Sequence, residues 1–318
     1  MSTAPRINAA QCAEGVMIVR PAGFAFNEHT ASSNRWQQRS AVDCAAQARA
    51  ECDALVAALQ AEGVRVCRLE DTLLPPKPDA VFPNNWVSFH RDGSVVLYPL
   101  QAPNRRHERR RELLDAVASE FGFESRQLID LSVYEAEQRF LEGTGSLVLD
   151  HVQRVAYACP SPRTDAQLVR QWGRLLGYEP LLFDALDAEG VPIYHTNVML
   201  AIGARWVVVC SAAIAAPQRA RVLERLAVGR EIIEVTFAAM GQFAANILEL
   251  TAHTAGGGSH GVLALSQRAL SALRAEPAAW QRLRACVDSV VAVDVNGIET
   301  VGGGSVRCML AEVPRVPA

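Results

Sequence analysis

Three reactive side chains stand far apart in this 318-residue sequence: Glu142 in LEGTGS, His195 in YHTN, and Cys308 shortly after Gly302, Gly303 and Gly304. Together they supply the residue types of nucleophilic catalysis by sulfur. A thiol with a pKa of about 8.5 is mostly protonated at neutral pH, so it needs a base or a cationic neighbour. An imidazole can give a proton to a departing amine and then take one from water. A carboxylate can fix that imidazole and favour its charged form. The glycines before Cys308 let backbone amides come close to a ligand. Cys12, Cys67, Cys159, Cys210 and Cys286 read instead as small core residues.

Whether the three residues meet depends on the elements that carry them, and the sequence repeats one supersecondary unit. AVFPNNWVSFH (80–90) and SVVLYPL (94–100) flank Arg91, Asp92 and Gly93, a hairpin turn signal. The pairs 146–150 with 154–159, 196–203 with 205–211, and 244–251 with 261–266 repeat the pattern. Helices are expected over 104–121, 164–177, 217–228 and 267–275, and an earlier one follows a capping box at 40–43, with Val42 to Leu59 on its apolar face. VMIVR (16–20) and VRVCRL (64–69) read as strands. VVAVDV (290–295) leads to the strand SVRCMLAEV (305–313), whose hairpin partner is expected at the N-terminal strand.

The second hairpin strands recur about every 55 residues, the mark of units that must pack on one another. Five units predict an α/β fold closed as a five-bladed propeller with pseudo-fivefold symmetry, helices outside, in a single domain over 1–318. An open, two-lobed α/β sheet is the alternative. In a closed ring, the polar segments at the mouths of the first strands face one axis: 84–85, 142–145, 195–197, 242–246 and 302–308. That arrangement would bring Glu142, His195 and Cys308 together.

Composition excludes several functions. The formal net charge is −3, which gives no electrostatic footprint for nucleic acid. The basic run RRHERRR (105–111) reads as a solvated helix face. Residues 1–15 lack the apolar stretch of a signal peptide, and the apolar-rich run 206–217 is well short of the ~20 residues that span a bilayer. The 8 cysteines form no CxxC pair and no zinc-finger spacing, so the expected compartment is the reducing cytoplasm. GGGSHG (256–261) matches GxGxxG but runs into a strand, so it reads as a hairpin loop rather than a dinucleotide site. His253 and His260 lack partners for a metal. No metal and no cofactor are expected. The polar loop 22–39 is of the kind that carries binding function and is placed to cover a pocket.

The segments PDAVFPNNW, LEGTGS, YHTN and GGGSVRCM resemble those of the guanidino-group modifying enzymes, the amidinotransferase or pentein superfamily, along nearly the whole chain. RPAGFAFNEHTASSN and PDAVFPNNW look most like the citrulline-utilisation hydrolases. The resemblance implies a five-bladed α/β propeller, with Cys308 as nucleophile, His195 as general acid and base, and Glu142 as the carboxylate that holds the histidine. It further implies substrate binding by Asp79, by Arg105 in APNRR and by Arg163 in SPRT. Where guanidino-binding members carry acidic residues after VF, this chain has Asn84 and Asn85. An amide both donates and accepts, which suits a neutral ureido group better than a guanidinium. The expected activity is therefore hydrolysis of citrulline to ornithine, ammonia and carbon dioxide. The alternatives are a deiminase or dihydrolase acting on arginine or an N-substituted arginine, or a non-catalytic ribosome-binding factor of the same fold. The expected partner is a small amino-acid substrate, with no nucleic acid and no membrane; homo-oligomerisation is left open.

Overall fold

A computed structural model describes residues 11–40, 43–254 and 256–316. Its strands are β1 (Gly15–Arg20), β2 (Arg65–Glu70), β3 (Val87–Phe89), β4 (Ser94–Leu97), β5 (Gln127–Asp130), β6 (Val148–Asp150), β7 (Val155–Ala158) and β8 (Glu179–Leu182), followed by β9 (Leu200–Ile202), β10 (Trp206–Val209), β11 (Glu231–Glu234), β12 (Leu248–His253), β13 (Ser259–Ser266), β14 (Ser289–Val293) and β15 (Ala311–Val313). Among the described residues they form five three-stranded sheets: β15-β1-β2, β3-β4-β5, β6-β7-β8, β9-β10-β11 and β12-β13-β14. Every sheet has the same plan, an antiparallel pair with a third strand parallel to its middle member. No continuous open sheet is present among these residues.

A helix joins each middle strand to its parallel neighbour: α1 (Ala45–Ala61), α2 (Glu112–Phe121), α4 (Ala166–Leu176), α5 (Ala216–Leu226), and the pair α7 (Gln267–Arg274) and α8 (Pro277–Cys286). Helix α4 illustrates how the sequence fixes these connections. The Asp165 side chain accepts from Leu168 N at its start, and Gly177 closes it in the left-handed conformation with φ +70. Leu168, Val169, Trp172 and Leu176 fall on one stripe and are buried against the sheet β6-β7-β8 and its neighbours. Shorter helical turns are α3 (Gly143–Ser146), α6 (Phe237–Met240), α9 (Asn296–Gly302) and α10 (Val306–Met309).

Sheets pack on their neighbours through their first strands, β15 on β3, β6 on β9 and β9 on β12. Thr251 N donates to Ala13 O at 2.9 Å, tying β12 to the segment before β1. As expected, the N-terminal strand pairs with the C-terminal one.

Several expectations need correction. The stretch 305–313 is not one strand: Ser305 opens α10, and the strand begins only at Ala311. The helix expected over 104–121 divides into a 3-10 turn, Pro103–Glu108, and α2. In the capping box at 40–43, residues 41 and 42, including Val42, lie outside the described residues; Asp43 Oδ1 accepts from Ala45 N at 2.8 Å at the start of α1. Of the 256–261 segment only 256–258 lie in the hairpin loop between β12 and β13, closed by Thr254 N bonded to Gly258 O; 259–261 already belong to β13. Among the described residues no helix is long and apolar enough to cross a membrane.

Candidate active site

The polar segments at the mouths of the first strands are tight turns: Pro83–Asn85 before β3, α3 before β6, Thr196–Val198 before β9 and α10 before β15. Helix α3 touches the turns at Pro83–Asn85 and Thr196–Val198, and α10 touches Pro83–Asn85. Segments remote in sequence thus deliver their side chains to one place. A narrow cavity lies there, lined by Cys308, His195, Asp79, Asn85, Arg105 and Arg163, with Tyr194 and the three glycines 302–304. Glu142 and Asn84 are fully buried against that lining. Gly303 is required at the rim: its φ is +64, and a methyl there would lie 2.7 Å from the Asn34 amide.

Cys308 sits on α10 and is 4% exposed. Its Sγ lies 3.3 Å from Asn246 Nδ2, 3.5 Å from Asn246 Oδ1 and 3.6 Å from Asn197 Nδ2. Burial pushes the thiol up, and these amide bonds only partly offset it. The cationic neighbour expected for an activated thiolate is not in contact with the sulfur. Arg307 points away, to Leu310 O at 3.0 Å and Glu312 at 2.8 Å. The resting protein therefore holds a thiol.

His195 Nε2 is 2.9 Å from Glu142 Oε2. Burial lowers the imidazole to about 4 in spite of the adjacent carboxylate. Burial also opposes ionisation of Glu142, yet Arg163, His195 and Arg105 outweigh it and hold that carboxyl well below the usual range. At neutral pH the pair is a carboxylate and a neutral imidazole, not the charged imidazole anticipated from the sequence. Nε2 donates to Glu142, and Nδ1 keeps its lone pair.

Arg105 is not on a solvated face; it is 1% exposed. Its Nε and Nη2 donate to Glu108, both at 2.9 Å, and Nη1 donates to Asn85 Oδ1 at 2.9 Å. Asp79 and Glu142 stand 3.5 and 3.6 Å away. Its donors are thus committed to protein acceptors, although it lines the cavity. Arg163 donates to Ser33 Oγ at 2.7 Å and Thr30 O at 3.1 Å, faces Glu142 at 3.4 Å, and lies 4.9 Å over the Tyr194 ring. Asp79 Oδ2 accepts from Asn27 Nδ2 at 2.7 Å. The 22–39 loop, which supplies Asn27, Thr30 and Ser33, also brings Asn34 to the cavity wall.

The family model for eukaryotic N,N-dimethylarginine dimethylhydrolase matches residues 20–315. The chain belongs to this family. It lies within the guanidino-group modifying superfamily and is a cysteine-dependent hydrolase of non-peptide carbon–nitrogen bonds. No curated protein sequence matches it. Among solved structures, the N-terminal domain of ArgZ, covalently bound to a reaction intermediate, is 15% identical with a TM-score of 0.72, over 95% of this chain and 99% of that one. An apo structure of ArgZ, described as an arginine dihydrolase from the ornithine–ammonia cycle in cyanobacteria, is 15% identical with a TM-score of 0.71, over 94% of this chain and 40% of that one. A dimethylarginine dimethylaminohydrolase, in an adduct with S-methyl-L-thiocitrulline, is 17% identical with a TM-score of 0.65, over 94% of this chain and 99% of that one. These likenesses establish the fold.

For this member of the dimethylarginine dimethylhydrolase family, the sequence left four neighbours unassigned. Asn197 and Asn246 fall in the polar segments at strand mouths, and that position was their signal. Glu108, whose burial raises its carboxyl to about 7 against the pull of Arg105, was hidden inside a run read as basic surface. Tyr194, whose hydroxyl donates to Gly303 O at 3.0 Å, precedes His195 and carries no motif of its own.

Proposed function

We propose that the protein hydrolyses the ureido group of a citrulline-type amino acid to ornithine, ammonia and carbon dioxide, with Cys308 as nucleophile, His195 as acid and base, and Glu142 holding His195. The observation that carries the ureido reading is the polarity of a short amide chain. Arg105 has only donors, so Asn85 turns Oδ1 to it; Asn85 Nδ2 then donates to Asn84 Oδ1 at 2.9 Å. Asn84 Nδ2 is left buried without a partner, and so is Asp79 Oδ1. One unspent donor and one unspent acceptor fit a group with a carbonyl and N–H bonds, whereas a guanidinium brings donors only. Asn85 lines the cavity, and Asn84, packed behind it, carries the unspent donor that reaches substrate once the wall opens.

In this mechanism the thiol proton passes to the His195 imidazole as Sγ bonds the ureido carbon. The imidazolium gives that proton to the departing ornithine amine as the carbon–nitrogen bond breaks, which leaves an S-carbamoyl intermediate. The same imidazole then takes a proton from water, whose oxygen displaces sulfur; the thiol re-forms, and carbamic acid decomposes to ammonia and carbon dioxide. Arg163 takes the substrate carboxylate by exchanging Ser33 and Thr30 for it, so the 22–39 loop moves as substrate enters.

A second reading rests on charge. Asp79, Glu108 and Glu142 outnumber Arg105 and Arg163 in and behind the wall, which leaves room for a cation such as the guanidinium of arginine. A dihydrolase would carry arginine through the ureido stage at this same site. The reading also takes the five sheets as blades of one closed propeller in a single domain over 1–318, supported by their sheet-to-sheet packing. It places the protein in the cytoplasm, where the eight free cysteines stay reduced.

Citrulline, arginine and dimethylarginine should be assayed for ornithine, citrulline and ammonia. Ornithine from citrulline is expected; citrulline accumulating from arginine without ornithine overturns the ureido reading. Cys308→Ala should bind substrate and lose turnover, and hydrolysis by that variant overturns the thiol mechanism. Asn84→Asp should shift kcat/KM toward arginine by about tenfold or more, the scale of one charge-assisted bond.

A further inference from the structure

Among the described residues no cation bonds the sulfur of Cys308, and Arg307 beside it turns to Leu310 O and Glu312, yet nucleophilic attack requires its thiolate. What surrounds it is a pair of amides. Asn246 presents both ends of its side chain to Sγ: Nδ2 at 3.3 Å and Oδ1 at 3.5 Å. The orientation is fixed from outside, because Nδ2 also donates to Asn197 O at 3.1 Å and the Asn246 backbone N–H bonds Phe243 O at 2.8 Å. Asn197 adds a second N–H at 3.6 Å. Asn246 is 1% exposed. The titratable and charged groups near the sulfur are Arg307 on α10, which turns to Glu312, with His195, Tyr194, Asp79, Arg105 and Arg163 around the cavity; the two arginines are held by Glu108 and Asn85 and by Ser33 and Thr30.

We propose that Asn246 is a catalytic residue of this reaction, whose amide accepts the S–H of Cys308 in the resting protein and donates N–H to the thiolate once the proton has passed to His195. The inference rests on the reading of Cys308 as nucleophile. Only an amide can serve both protonation states without rotating out of place: a carboxylate would keep the acceptor and repel the anion, and an apolar side chain would offer neither. In a water-excluded site, a fixed donor on a developing anion is worth far more than in solution. Asn246 therefore stands where other sulfur nucleophiles have a cation.

The test reads ionisation apart from turnover. Alkylation of Cys308 by iodoacetamide is followed by peptide mass spectrometry from pH 6 to 10 in wild type, Asn246→Ala and Asn246→Asp, with circular dichroism as the folding check. Loss of the donor should slow alkylation at pH 8 by about tenfold in Asn246→Ala. Asn246→Asp, which keeps shape and acceptor, should be slower still, its profile displaced to higher pH. Both variants should lose about 10–100-fold in kcat with KM within about threefold. Should Asn246→Ala not fold, the isosteric Asn246→Asp decides alone. Profiles in either folded variant that superimpose on wild type overturn the proposal. That failure is distinct from failure of the nucleophile reading, which would show as turnover by Cys308→Ala.

Discussion

At the sulfur and the imidazole, burial opposes charge on both partners. Cys308 is pushed up and His195 down to about 4, so the resting pair is uncharged and the formal charge sits on Glu142. On the proposed ureido reading, chemistry begins with proton transfer inside the site, which a neutral substrate head group would not oppose. Glu142 is the one influence that holds the imidazole up, so Glu142→Gln lowers the imidazole further and leaves the imidazolium of the transition state unsupported. The expected result is a fall in kcat of about 10²–10⁴-fold, the scale of losing a positioned acid–base partner. The sign for kcat/KM follows from the direction of the shift. With His195 as the base, the free wild-type protein is expected to lose activity as the imidazole protonates near pH 4, and this acid limb should move to lower pH in the variant. A pH–rate profile in which the limb stays in place or moves upward would contradict the assignment. That these three residues lie together was legible from their types and repeat spacing; their protonation was not, because it depends on burial by segments remote in sequence.

At the scale of elements, the hairpins and the longer helices were readable because each carries its own period and punctuation, as with Asp165, Gly177 and the apolar stripe of α4. The third strands β5, β8 and β11 were missed. Each is four residues long with at least one polar residue, such as QLID or EIIE, and gains its identity only by lying parallel to a buried neighbour. The turns that carry the site were read as strand beginnings, because one turn of helix between apolar residues leaves no period to detect. Their geometry is nonetheless strict. In α3 a methyl on Gly145 would lie 2.7 Å from both His195 Nδ1 and Asn85 Nδ2. Gly145 has no positive φ, so Gly145→Ala adds little backbone strain; its effect is to displace the imidazole or the amide. About 10²-fold loss of kcat/KM is expected, as for a misplacement of about 1 Å at a reacting group. The thermal midpoint should change by only a few degrees, on the order of 1 kcal/mol. Kinetics together with a melting curve check this; a large drop in midpoint with normal activity in the folded fraction would assign Gly145 to packing instead.

Over the whole molecule, the site works only if separate sheets stay in register, and part of that register is held on strand ends away from the cavity. Asp150 ends β6, whose start follows α3. It is paired in the interior with Arg230, which precedes β11 of the next sheet. Arg230 also donates to Gly203 O at 2.8 Å and to Gln11 Oε1 at 3.1 Å, and Gln11 Nε2 donates to Leu149 O at 2.9 Å. One guanidinium thus joins two sheets and the N-terminal segment, with both charged side chains at most 3% exposed. Breaking a buried pair by removing one partner leaves an uncompensated charge and costs about 3–5 kcal/mol. Arg230→Met is expected to destabilise by that amount in urea unfolding at pH 7, while its kcat in the folded protein stays near wild type because neither residue touches the cavity. Adding Asp150→Asn removes the stranded charge, so the double variant should be more stable than Arg230→Met alone. Simple additivity of the two losses would mean that the pair does not couple the sheets, and a matching fall in kcat would mean that the register of the site depends on this one bridge.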